Sequence, residues 1–99
     1  MVLPDGLLAA VKNYLDITWD DPDGDKKLSG IILRGMRRLD KVAGENLDYS
    51  IEDTPRELLM DYCRYGRSNA LDEFEKNYLS MLLDLQREYE IKRYGDSSD

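Results

Sequence analysis

The chain predicts an all-α fold, a small bundle of about four helices with an extended C-terminal helix. Three observations carry that expectation. Apolar residues recur at helical spacing through every long segment, and strict alternation is confined to residues 45–53. Helix boundaries are marked by residues suited to them, with Gly44 closing one pattern and Thr54-Pro55-Arg56-Glu57 opening the next. Ninety-nine residues supply one hydrophobic core and no more. A single domain over residues 1–94 follows, with Gly95-Asp96-Ser97-Ser98-Asp99 read as a flexible acidic tail.

Helix one is expected from about Asp5 to Asp16, with Leu7, Leu8, Val11, Tyr14 and Leu15 on one face. Helix two is expected from Asp25, as its N-cap, to Ala43. It turns Leu28, Ile31, Ile32, Gly35, Leu39, Val42 and Ala43 inward and Lys26, Lys27, Arg34, Arg37, Arg38 and Lys41 outward, with Leu33 among the cations. Residues 45–53 form a loop that tucks Leu47, Tyr49 and Ile51 under the helices. Helix three opens on a capping box in which Thr54 and Glu57 serve each other's backbone amides. It presents Leu58, Leu59, Tyr62, Cys63, Gly66 and Ala70 on one face and leaves Met60 off that stripe among Arg56, Arg64 and Arg67. A break at Ser68-Asn69 precedes helix four, about Leu71 to Tyr94, whose core face is Leu71, Phe74, Tyr78, Met81, Leu82, Leu85 and Tyr89. Leu79 and Leu83 stand one turn apart on its shoulder, a surplus that calls for a second covered surface.

Composition narrows the function. The net charge of −7 opposes loose adhesion to nucleic acid or to anionic membranes. No histidine is present, which removes the usual general base near neutral pH, and Cys63 and the serines have no evident activator. The glycines fit neither the dinucleotide-binding spacing nor a phosphate loop. Carboxylate pairs such as Glu45 with Asp48 and Asp72 with Glu73 are expected by chance in so acidic a chain. Asp21, Asp23 and Asp25 match the first ligands of a calcium loop. Lys26 and Ile32 then stand where that loop needs glycine and glutamate, so a turn is the better reading. Neither enzymatic activity, a cofactor nor a metal is expected. Cys63 is a lone thiol on an apolar stripe, the N-terminus lacks a signal-peptide pattern, and no stretch approaches membrane-spanning length, so the expected site is the cytoplasm rather than outside the cell.

Three segments, LLAAVKNYLDITWDDPD, DKKLSGIILRGMRRLDKVAG and LLMDYCRYGRSNALDEFEKNYLSMLLDLQREYE, together resemble the head-tail connector, or adaptor, proteins of long-tailed bacteriophages and of prophages in Gram-positive bacteria. The resemblance runs from about Leu7 to Tyr89. It rests on the order of pieces: the Trp19-Asp20-Asp21 corner, the glycine-closed helix two, Asp61-Tyr62-Cys63-Arg64-Tyr65 and Asn69-Ala70. It implies a small all-helical structural protein of the virion neck, made in the host cytoplasm. Such proteins assemble as a ring, generally twelvefold, below the portal protein, dock other neck proteins and let DNA pass without specific binding. No catalytic residue is carried over. An expected subunit interface pairs the arginine face of helix three (Arg56, Arg64 and Arg67 around Met60) with the acidic corner (Asp20, Asp21 and Asp23 beside Trp19), and adds Leu79 and Leu83 as an apolar contact. The alternative is a small DNA-associated or regulatory helical protein that uses the basic face of helix two.

Overall fold

The computed structural model describes residues 3–97, with side chains as far as residue 94. Five helices follow one another: α1 Leu7–Tyr14, α2 Pro22–Ala43, α3 Thr54–Arg67, α4 Leu71–Asn77 and α5 Leu79–Ser97. No strand occurs among the described residues, so the fold is all-α. The long α2 packs most extensively on α3 and then on α5, while α1 bridges α2 and α3.

Glycine sets the distance between α2 and α3. A methyl group at Gly35 would lie 2.7 Å from Tyr62 Cδ1 and 2.8 Å from Leu59 Cδ1, and one at Gly66 would lie 2.8 Å from Ile31 Cγ2. Gly66, which has no purpose within its own helix, therefore admits a side chain of α2. Around this contact Leu28, Ile32, Leu39, Leu58, Leu59, Cys63, Phe74 and Leu85 are buried. Burial drives the Cys63 thiol up to about 12, so it stays protonated and inert near neutral pH.

Three helix ends share one device. After α1, α2 and α3 the chain turns through a left-handed residue, Asp16 (φ 59°), Gly44 (φ 79°) and Asn69 (φ 56°) respectively. Each turn is closed by an amide reaching back five residues: Ile17 to Lys12 O at 2.9 Å, Glu45 to Asp40 O at 3.2 Å, and Ala70 to Tyr65 O at 2.9 Å. Gly44 and the Ser68-Asn69 break are where the sequence places them. Asp16 serves because a short polar side chain tolerates this backbone better than most.

Several boundaries move for identifiable reasons. Gly6 is left-handed (φ 79°), so α1 starts at Leu7 rather than Asp5. In α2, Pro22 fills the first helical position behind an extended Asp21, and the helix begins three residues before Asp25. Asp25 is thus no N-cap. Its carboxylate lies 2.9 Å from Lys12 Nζ and ties α2 to α1. The stretch Asp21 to Asp25 is a cap and first helical turn, not a calcium loop. At α3 the cap is Asp53, whose Oδ1 accepts from the Thr54 amide at 2.8 Å, so Thr54 is inside the helix and the expected capping box does not form.

The expected helix four is two helices. Tyr78 (φ −107°, ψ 11°) interrupts it, with its ring stacked on Phe74 at 4.7 Å and edge-on to Tyr65 at 5.7 Å. Phe74 in turn meets Tyr62 at 5.3 Å, so the aromatic group holds α4 against α3. Met81, expected inside, lies at the edge of the stripe and is exposed, while Leu82 and Leu85 are buried and Tyr89 half-buried. α5 continues to Ser97, three residues into the segment read as a tail; residues 98 and 99 lie outside the described residues.

In the connection between α2 and α3, Tyr49 is buried and its hydroxyl donates to Asp40 Oδ1 at 2.6 Å, 3.0 Å from the Met36 carbonyl. Burial and then Asp40 push this phenol up. Leu47 is half-buried, whereas Ile51 faces solvent, contrary to expectation.

Candidate assembly surface

The expected interface residues divide into those the fold consumes and those it leaves outside. Met60 is consumed. It is 8% exposed and belongs to the core, because α1 crosses the side of α3 that the stripe of α3 leaves uncovered. Tyr14 of α1 donates its hydroxyl to Asp61 Oδ1 there, and this bond is the main reason its phenol is raised.

The arginines of α3 have partners in their own chain. Arg56 donates to the Tyr49 carbonyl at 2.9 Å and pairs with Glu52 at 3.3 Å. Arg64 lies over the Tyr65 ring at 5.0 Å and within reach of the Tyr78 hydroxyl (3.3 Å) and Asp61 (3.8 Å). Arg67 stands 6.0 Å over the ring of Trp19. Trp19, Asp21 and Arg67 accordingly share the wall of one cleft of about 330 Å³, with Gly66 and Ile31 also lining it. Arg67 of the arginine face and Trp19 and Asp21 of the acidic corner are thus neighbours within one subunit, whereas Arg64 and Asp20 do not line this cleft. Trp19 remains half-exposed and Asp20 and Asp21 face solvent.

Leu79 and Leu83 are the residues the fold leaves outside. They are 55% and 48% exposed, one turn apart on α5, as their spacing implies. Met81, two positions from each of them, lies on the other flank of α5 and is not part of this apolar shoulder.

Two further surfaces had weaker signals. On α2, Lys26, Lys27, Arg34, Arg37 and Lys41 are all exposed, and none lies within ion-pair distance of a carboxylate among the described residues. Arg38, expected among them, instead reaches α4: its guanidinium engages both carboxylate oxygens of Glu75, one at 3.0 Å, and that pairing holds the Glu75 carboxyl below its ordinary value. Across the molecule, α1 and the first half of α3 enclose an open cleft of about 560 Å³ bearing the carboxylates of Glu52, Asp53, Glu57 and Asp61 against one cation, Arg56, which pairs with Glu52. Only helix-to-helix packing makes that cleft, since Ala10 and Tyr14 on its far side are remote in sequence. Neither cleft holds an orphaned polar group: every buried side-chain nitrogen and oxygen among the described residues has a partner. Nor is any helix among them long and apolar enough to cross a membrane. No family model, curated protein or solved structure matches this chain.

Proposed function

We propose that this chain is the repeating subunit of a head-tail connector, a structural ring in the virion neck that joins the DNA-filled head to the tail. The observation that carries the reading is the apolar shoulder of α5. Leu79 and Leu83 expose large side chains side by side in a small acidic helical protein whose core is otherwise closed, and such patches favour a standing protein contact. The sequence resemblance supplies the setting, with a portal protein above and other neck proteins below. Charge supports it: 21 carboxylates against 14 cations, repeated around a lumen, repel phosphate and let DNA slide.

The experiment is assembly with and without the shoulder. Negative-stain microscopy and light scattering of the concentrated chain with its portal should show rings. The Leu79→Asp/Leu83→Asp variant should keep its helical circular dichroism and lose them, because charge is placed in a contact that must shed water. Rings from the double variant, or no rings from the wild-type chain with its portal, would overturn the reading.

A further inference from the structure

Charge in this molecule is segregated. α2 carries six cations against three carboxylates, and the rest of the chain carries eight against eighteen. From Lys26 to Lys41, five of those cations lie along one side of α2 with no carboxylate sharing that side; Asp23 sits just beyond its N-terminal end. The opposite side of α2, through Gly35, touches Leu59 and Tyr62 of α3. On α3, Glu57 and Asp61 project half a turn away from Leu59 and Tyr62, into the cleft with Glu52 and Asp53. Basic stripe and acidic cleft therefore face outward from opposite sides of the α2–α3 layer.

We infer that the α2 stripe docks into the acidic α1–α3 cleft of a second copy of this chain. Opposite faces of opposite sign make a head-to-tail contact, in which each copy uses both faces and leaves both open for the next. A second copy fits better than a nucleic acid, because a duplex would meet the stripe but be repelled by the remaining eighteen carboxylates. The cleft also gives long lysine and arginine stems something to cover, since Ala10, Tyr14 and Met60 line it beside the carboxylates. The contact deepens the ring reading by replacing the α3 arginines, which have partners within the subunit, with Lys26, Lys27, Arg34, Arg37 and Lys41 of α2, none of which pairs with a carboxylate among the described residues.

Sedimentation velocity of the full chain tests it by charge reversal. At low ionic strength the wild-type chain should associate progressively with concentration, and association should fade as salt shortens the screening length to about 3 Å near 1 M. Arg34→Glu/Arg37→Glu and, separately, Glu52→Lys/Glu57→Lys should each weaken association at least tenfold with unchanged circular dichroism. Both sets combined in one chain should recover part of the loss, which a merely structural role would not produce. A wild-type chain that stays monomeric at low salt, or reversals that change nothing, or two reversals without mutual rescue, would overturn the contact. So would retention of a duplex DNA fragment that Arg34→Glu/Arg37→Glu abolishes without any self-association. The two readings fail separately: rings with portal that ignore the reversals sink this contact and spare the connector, whereas rescued self-association without portal rings does the reverse.

Discussion

Met60 in α3 and Leu83 in α5 stand in the same relation to their helices, yet one is 8% exposed and the other 48%. Each is an apolar residue displaced from the main stripe of an amphipathic helix. α1 crosses the outer side of α3 and covers Met60, whereas no described helix covers Leu79 and Leu83 on α5. Surplus apolar residues on a helix thus announce a second contact without saying whether the chain itself or a partner makes it.

The largest expected effect breaks that comparison directly. Met60→Ala should cost about 2–3 kcal/mol in urea unfolding, since it removes a side chain enclosed by α1 and α3. Leu79→Ala and Leu83→Ala should each change monomer stability by no more than about 0.5 kcal/mol. Equal costs at all three positions would mean that the α5 shoulder belongs to the core.

A smaller contrast lies within α2. Gly35→Ala should destabilise by about 1–3 kcal/mol, because the new methyl meets Tyr62 and Leu59 below 3 Å on the side packed against α3. Gly30→Ala, five residues away, meets only the mobile end of Arg34 at 3.4 Å and should stabilise by about 0.5–1 kcal/mol through helix propensity. Thermal melts of the two variants read opposite signs if α2 has one closed and one open side.

The smallest effect concerns the Arg38–Glu75 pair that fastens α4 to α2. Glu75 has a folded pKa below its ordinary value, so its contribution is present above the unfolded value and is lost as pH falls through the folded one. The wild-type chain should melt above Glu75→Gln at neutral pH, and the gap should close in acid below the ordinary glutamate range. Both groups are about 40% exposed, so the difference is a modest shift in Tm.

Much of the fold is legible because its signals are local. Gly44 and Asn69 end helices with the backbone their residue types tolerate, and the core faces of α2 and α3 follow the helical period with few exceptions. Tyr78 is where local reading fails. The stripe continues through it in phase, and the interruption comes with a ring that packs on Phe74 and Tyr65 at the α3–α4 contact. The interface residues divide the same way. Register alone sets Leu79 and Leu83 off the core stripe, but Arg67 and Trp19, 48 positions apart in the chain, meet only because the α1–α2 corner folds against the end of α3.

By itself the sequence determined the helical class, the helix ends at Gly44 and at Ser68-Asn69, a buried cysteine and the acidic balance, because propensity, capping and charge act over a few residues or over the whole composition. Only the tertiary structure decided that Met60 is covered and Leu83 is not, that the α3 arginines have partners at home, and that the cations of α2 and the carboxylates of the α1–α3 cleft face opposite ways. Those outcomes depend on how distant helices cross, and crossing is set by side chains such as Gly35, Gly66 and Tyr78 meeting neighbours that lie far from them in the chain.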